Sequence, residues 1–399
     1  MMKVGILTQY PGEIGKSENL SGVATFSEYL FSHFDDSNVE LTIYANKEKR
    51  QKDYEIKGKK QTIKYCWEKG LNPFFKIWKL VKSNKEDIIH IQHELFLYGS
   101  ILTNIFLFIF VFLCWLSRIK VIIEFHAVIP LDKLNKEFAK DNRINVPPLL
   151  AKVCFLFFYK CISLLCKIVI VHEPVFKKYL ISQYHIKKEK IKVVPLPCIE
   201  PEQIYTKEAA RQKLKLSIEK KIIFYFGYIS GYKGLDKLVE AGREFLTKIP
   251  NSFLYIAGGL HPRMKTDEDY LNFVKVLKEN SPHNTYWHGY VQDEEIPILF
   301  AAADLMVFPY SIGMSSSGPL AQAIAYEVPF IVSNAFKGIV MNKNCIYGEF
   351  VKDLANGIEK FFEDKNMRQS IEKYSTKMKK ERNPNRLVGE LIKIYNGIL

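Results

Sequence analysis

The sequence predicts an α/β chain built from two doubly wound parallel-sheet halves. Three observations carry the prediction. Short continuous apolar runs, typical of strands buried on both faces, alternate with helical stretches. The rhythm breaks once, at a proline-rich segment, and then resumes. A chain of 399 residues is also too long for one ordinary core.

The first strand is expected at Val4 to Thr8, followed by the glycine-punctuated loop PGEIGKSENLSGV and an amphipathic helix from about Val23 to Phe34. Gly15-Lys16-Ser17 invites a P-loop reading, which fails because the required glycine five residues earlier is Tyr10 and because Glu18 to Gly22 separate the lysine from the helix. Ser21-Gly22 remains a place where backbone could approach a ligand closely, or a plain loop. Strands follow at Val39 to Tyr44, Asp87 to Gln92, Val121 to Phe125 and Ile168 to Val171. Ligands of such sheets sit at the carboxyl ends of the strands. Two of those ends carry histidine, in HIQHE (His90, His93, Glu94) and EFHAVIP (His126). HxxHE fits neither zincin spacing nor its inverse, so no metal is expected there.

Leu95 to Leu116 is apolar almost all round, yet Gly99, Ser100, Thr103 and Asn104 interrupt its first half. Its place between two strands makes it a crossover helix with a greasy outer face. Leu149 to Cys166 is a second such helix, with Lys152 and Lys160 on roughly one side and Lys167 just beyond. Two readings stay open: helices resting on an anionic membrane surface, or well-buried helices or an oligomer contact.

Pro195, Pro197 and Pro201 break the pattern in VVPLPCIEPEQ, as a hinge between domains would. Residues 1–195 then form one domain and 196–382 the other, with the closing helix of 383–399 packing back on the first. Strands resume at Ile222 to Phe226, Ser252 to Ala257, Thr285 to His288, Asp304 to Phe308 and Pro329 to Val332. FGYISGYKGLDKLVEA runs from strand to glycine loop to helix, and places the Lys233 ammonium where a phosphate could sit. Asp267 and Asp269 form a DxD that reads as helix capping. The stretch from Ala301 to Val332 reads as strand, Ser/Gly loop, helix and strand. Pro319 falls at the first helical position behind a Ser317 or Gly318 cap, so unpaired N–H groups and the positive helix end face the loop.

Composition narrows the class. With 48% hydrophobic residues, wholesale disorder is excluded. A net charge of +14, in lysine runs at 57–60, 187–192 and 377–380, favours anionic partners. The lysines are dispersed and no recognition motif appears, which disfavours nucleic acid. Seven cysteines without framework spacing suggest reduced thiols, with Cys154, Cys161 and Cys166 as core filler. The short N-terminal apolar run does not suit a signal peptide, so a cytoplasmic site is expected.

Several stretches together carry a resemblance: SGV (Ser21 to Val23), IIHIQHE (Ile88 to Glu94), FHAVIP (Phe125 to Pro130), VVPLP (Val193 to Pro197), FGYISGYKG (Phe226 to Gly234), LYIAGG (Leu254 to Gly259) and WHGYVQDEEIPILFAAADLMVFPY (Trp287 to Tyr310). Their order and spacing resemble the retaining GT-B glycosyltransferases of family 4 over nearly the whole chain. The resemblance implies two Rossmann-like domains facing across a cleft, and transfer of a sugar from a nucleoside diphosphate sugar, UDP- or GDP-linked, without a metal or other cofactor. It also implies that Lys233 steadies the donor diphosphate, that Gly22 and Gly227 approach the phosphate, and that His126 contacts the donor sugar. Tyr290 and Val291 would lie by the base, and Ser316, Ser317 and Gly318 would bind sugar and phosphate through backbone N–H groups. His93 and Glu94 fall on the acceptor side.

The sequence departs from the family at three places. Tyr228 stands where an arginine is usual, and Met314 and Gln322 stand where paired glutamates are common. Gln322 can still bond a ribose hydroxyl, whereas Met314 cannot. These departures leave a non-catalytic sugar-nucleotide-binding or assembly subunit as the alternative to an enzyme, with an epimerase on the same fold third. The apolar helices point to a glycan or lipid-linked acceptor and to work at the inner membrane face.

Overall fold

The computed structural model describes residues 1–399 except 13–20, 35–37, 48–50, 59–60, 71–72, 101–102, 137–138, 140–145, 202, 262–263 and 314–315. The chain divides into two compact units.

The first unit holds residues 1–197, 314–316 and 382–399. Its strands are β1 (Met2–Leu7), β2 (Val39–Asn46), β3 (Tyr54–Lys57), β4 (Gln61–Trp67), β5 (Ile88–His93), β6 (Lys120–Phe125), β7 (Ile168–Val171) and β8 (Ile191–Val193). They form one sheet ordered β3-β4-β2-β1-β5-β6-β7-β8, parallel except for β3 against β4. Central strands β5 and β7 are buried along their whole length; β7 is accordingly unbroken Ile and Val, whereas β5 also buries His90, Gln92 and His93. The β3–β4 hairpin was not expected; its alternating, half-exposed residues at the sheet edge give no long apolar run.

The connections are α1 (Gly22–Ser32), α2 (Phe74–Ser83), α3 (Thr103–Leu116), α4 (Pro148–Leu165) and α5 (Pro174–Ser182). From the β1–β5 boundary the chain winds both ways, so right-handed crossovers put α1 on one face and α3 and α4 on the other. The expected helix over 95–116 is shorter and opens at Thr103. Before it, Leu97 closes a turn on the Glu94 carbonyl, the Tyr98 hydroxyl reaches the carbonyls of Leu7 and Gln92, and Gly99 sits at φ +155°. Nor are the three cysteines around α4 all core. Cys166 is buried, but Cys154 is exposed because it lies on the outer side of the helix. Lys190, from the lysine run at 187–192, caps α4. Its amine donates to the carbonyls of Ser163, Leu164 and Cys166 at 2.7, 3.1 and 2.9 Å, satisfying groups a helix end leaves open.

The second unit holds residues 198–313 and 317–381. Its strands β9 (Lys221–Phe226), β10 (Ser252–Ala257), β11 (Thr285–Trp287), β12 (Leu305–Phe308) and β13 (Phe330–Val332) pair in parallel, in the order β11-β10-β9-β12-β13. The helices are α6 (Lys207–Lys213), α7 (Leu235–Lys248), α8 (Glu268–Glu279), α9 (Ile296–Ala302), α10 (Gly318–Ala325), α11 (Val351–Glu363) and α12 (Lys365–Glu381). Asp267 caps α8 by accepting from Tyr270 N at 3.0 Å, the capping role read from the DxD. Asp304 fastens β12, taking Arg211 Nη2 at 2.6 Å and Ile222 N at 2.7 Å. The last helix, α13 (Pro384–Asn396), belongs to the first unit and sinks Leu387, Leu391 and Tyr395 into its core.

Candidate functional site

Each unit has a point where strand order reverses, which opens a crevice at the carboxyl ends of the strands. In the second unit this point lies between β9 and β12. The loop after β9 and the loop after β12 are pressed together: a Cβ on Gly234 would sit 2.0 Å from the Pro309 carbonyl oxygen, and Gly234 is at φ +65°. Only glycine meets both demands. Ser311 N donates to the Tyr232 carbonyl at 2.8 Å, tying the two loops.

Gly227 follows β9 at φ +124°, and a Cβ there would lie 3.0 Å from Lys233 Nζ and 3.2 Å from Pro319 Cγ. The missing side chain therefore leaves room between the lysine amine and the first turn of α10. Ser317 caps that helix by accepting from Leu320 N at 3.3 Å, and its hydroxyl also meets Tyr310 at 3.1 Å. Gly318 is the first helical residue and Pro319 the second, one position later than expected. A Cβ on Gly318 would meet nothing within 4 Å, so its backbone borders open space. Lys233 is 8% exposed, and no side chain or carbonyl among the described residues pairs with its ammonium. Burial alone pulls its pKa down to about 8.

Beyond this cradle, Tyr290 is exposed and Val291 buried. Tyr228, in the place of the usual arginine, stacks on Tyr290 with ring centroids 6.2 Å apart. That aromatic pair was missed from the sequence, although two tyrosines in neighbouring glycine loops were visible. Gln322 lies one turn into α10, half-buried. Met314 lies outside the described residues, and so does the Gly15-Lys16-Ser17 run.

In the first unit the reversal lies between β1 and β5. Gln9 follows β1 and accepts from Ser21 Oγ at 2.6 Å, and the side of Gly22, at the start of α1, is open. His93 ends β5; its Nε2–H donates to Asn104 Oδ1 at 3.0 Å and its Nδ1 is buried with no partner among the described residues. Burial lowers its pKa to about 4, so the ring is neutral at pH 7. Glu94 follows it, half-buried. Ser316 clusters with this unit and donates to Glu173 Oε1 at 3.0 Å, while Arg382 Nη2 binds both Glu173 oxygens at 3.0 and 3.3 Å.

His126 sits in a buried polar chain that the sequence did not reveal. Its Nε2 lies 2.6 Å from Gln92 Oε1, its Nδ1 lies 3.1 Å from His172 Nε2, and His172 Nδ1 lies 2.9 Å from the Val194 carbonyl. Both end groups are oxygens that only accept, so these neighbours govern which ring nitrogens carry the protons. Glu124 lies beside the chain, 2.9 Å from His90 Nε2 and 3.5 Å from His172 Nδ1. Burial pushes its carboxyl up, but the His90 bond and the charges of His172, His90 and His126 outweigh that and hold it at about 2. His90 Nδ1 takes the Tyr395 hydroxyl at 2.8 Å. Burial, then His172, keeps His126 well below the ordinary histidine range.

Glu124, His126 and His172 also place three possible cation ligands within 4.8 Å of one another. The facing ring nitrogens are already joined by a hydrogen bond, and the outer ones are taken by Gln92 and Val194. A donor-sugar contact through a His126 nitrogen, as the resemblance implies, requires one of these bonds to open.

Two parallel-sheet α/β units, each with glycine- or histidine-bearing loops at a strand-order reversal, define a protein of the GT-B class. The family model described as Glycosyltransferase Family 4 matches residues 20–198, and the one described as Glycosyl transferases group 1 matches residues 206–378. The chain belongs to the GT-B glycosyltransferases of family 4. Mannosylfructose-phosphate synthase of Agrobacterium fabrum is 25% identical over 195 residues, which is 46% of this chain and 42% of that protein. The putative glycosyltransferase YtcC of Bacillus subtilis is 24% identical over 169 residues, 40% of each chain. The matched stretch thus spans about two fifths of these relatives. Among solved structures, sucrose-phosphate synthase of Thermosynechococcus elongatus superposes with a TM-score of 0.74 at 15% identity, covering 100% of this chain and 99% of that one. Anabaena HepE in complex with UDP superposes at 0.67 and 13% identity, covering 99% and 100%.

Proposed function

We propose that this protein transfers a sugar from a UDP- or GDP-linked donor to an acceptor hydroxyl, with retention at the anomeric carbon and without a metal ion. The observation that carries the reading is Lys233: a buried ammonium with no partner among the described residues, beside a glycine that leaves room and a helix start that leaves N–H groups open. An uncompensated buried cation is costly, and a diphosphate is the anion that would offset it. HepE structures with UDP and UDP-glucose, and a trehalose-6-phosphate synthase structure with UDP-2-fluoro glucose, support the uridine donor.

As the bond to the sugar breaks, negative charge gathers on the leaving diphosphate. Lys233 and the Gly318 N–H are placed to stabilise it where it forms. Gly22 and Gly227 allow backbone to come close, Tyr290 and Val291 flank the base, and Gln322 takes a ribose hydroxyl. The acceptor side is assigned to His93 and Glu94. The acceptor is a glycan or lipid-linked hydroxyl in cell-surface polysaccharide or glycolipid assembly, at the cytoplasmic membrane face.

Release of nucleoside diphosphate from a panel of UDP- and GDP-sugars tests the reading. Wild type should release it with one donor and acceptor, and Lys233→Ala should lower turnover at least a hundredfold. Equal turnover in the variant would remove Lys233 from the reaction. Tyr228 in place of arginine supports the alternative, a sugar-nucleotide-binding assembly subunit. That reading predicts nucleotide binding with no release under any acceptor.

A further inference from the structure

The outer surface of α2, α3 and α4 is unlike the rest of the chain. The three helices, 10, 14 and 18 residues long, contain five lysines and not one aspartate or glutamate. On α3, Ile105, Ile109, Phe112 and Leu116 recur at helical spacing and all are exposed. On α4 the same holds for Val153, Phe157 and Leu164, the last two 66% and 68% exposed. Neighbouring α3 and α4 pack together, as do α2 and α3, so the stripes form one apolar face. Along α2, Lys79 and Lys82 lie over the rings of Phe75 and Trp78 at 4.7 and 5.4 Å, placing positive charge on aromatic groups at its edge.

Only 28% of α4 is buried, and it is long and apolar enough to cross a bilayer. Its buried side prevents that. Phe155 and Ile162 face the core, and Tyr159 donates to the Ala127 carbonyl at 3.2 Å and packs on Phe125 and Tyr184. A helix with one face fixed to a sheet cannot offer all its faces to lipid, but it can lie flat with the other face in the headgroup region.

We propose that the α2–α3–α4 face is a docking surface for an anionic lipid bilayer, entered by the α3 and α4 stripes and steered by the lysines of α2. Apolar width calls for a large hydrophobic partner, and Lys79 and Lys82 at its edge select a negative one, Lys76 being paired with Asp53. This deepens the membrane reading above, yet it stands on these three helices alone. The nucleotide cradle lies in the other unit, so either can fail without the other.

The test is co-sedimentation of the detergent-free full chain with phosphatidylcholine vesicles and with phosphatidylcholine–phosphatidylglycerol vesicles, at low and high salt, alongside UDP binding and solution mass. Binding should need the anionic lipid and weaken with salt. Phe157→Ser with Ile109→Ser should abolish it, and Lys79→Glu should weaken it roughly twentyfold by charge reversal, both with UDP affinity unchanged. No binding to anionic vesicles at low salt overturns the proposal. So does equal binding by the serine variant, or a dimer that the same variant turns into a monomer, which would make the face a contact between copies.

Discussion

Lys233 sets two effects of opposite sign. Its pKa is about 8 in the folded chain against 10.5 when free, so the unfolded state holds more protons between those values. The penalty is complete below pH 8 and disappears as pH rises to 10.5, and it amounts to about 3 kcal/mol at most. Lys233→Met should therefore raise the urea midpoint at pH 7 while weakening nucleoside diphosphate binding. Wild-type affinity should fall as pH passes above 8, because binding needs the charged amine; titration calorimetry across pH 7 to 10 would show it, with Lys233→Met flat. Glu124 works the other way. Its carboxyl is held at about 2, below its ordinary 4.5, so its stabilisation is present above pH 4.5 and is lost as pH falls to 2. Glu124→Gln removes the carboxylate that His90 and His172 face and should cost about 3–5 kcal/mol at pH 7, with a smaller loss at pH 3.

Among the elements, α13 is the clearest case of local sequence acting at a distance. LVGELIKIYNGI reads as an ordinary amphipathic closing helix, yet its Tyr395 hydroxyl is 2.8 Å from His90 Nδ1, 305 positions earlier. Tyr395→Phe should cost about 1–2 kcal/mol by urea unfolding, the value of a buried hydrogen bond with one partner orphaned. Lys190→Met should cost a similar amount, since three carbonyls at the end of α4 lose their donor. Neither role was legible from the sequence. Helix spacing reports which face is buried, but not which distant group a polar tip will meet.

For the whole molecule, the donor recognition proposed here is a property of one unit. The candidate diphosphate cradle, from Gly227 through Lys233 to Gly318, is contributed by strands and loops of residues 198–313 and 317–381. A nucleotide at a hundred times its dissociation constant should add about 2.7 kcal/mol of stability, and thermal shift across UDP, GDP and ADP would identify the base. The two sheets follow from alternation that was plain in the sequence, as did Lys233, Gly227 and the Ser317 cap. The edge hairpin of β3 and β4 did not, because half-exposed strands lack a continuous apolar run.

The sequence alone determined the class of fold, the family and the Ser/Gly loop that leads into α10. These depend on local patterns: buried strands read as apolar runs, helix starts as caps, and close approaches as glycines. Only the tertiary structure decided that His126 is locked into a buried polar chain with Gln92 and His172 beside Glu124, that Lys233 has no partner among the described residues, and that Tyr228 stacks on Tyr290. Those properties are set by which residues the parallel crossovers bring together, and burial then fixes their charges. Neither is encoded within any single window of the chain.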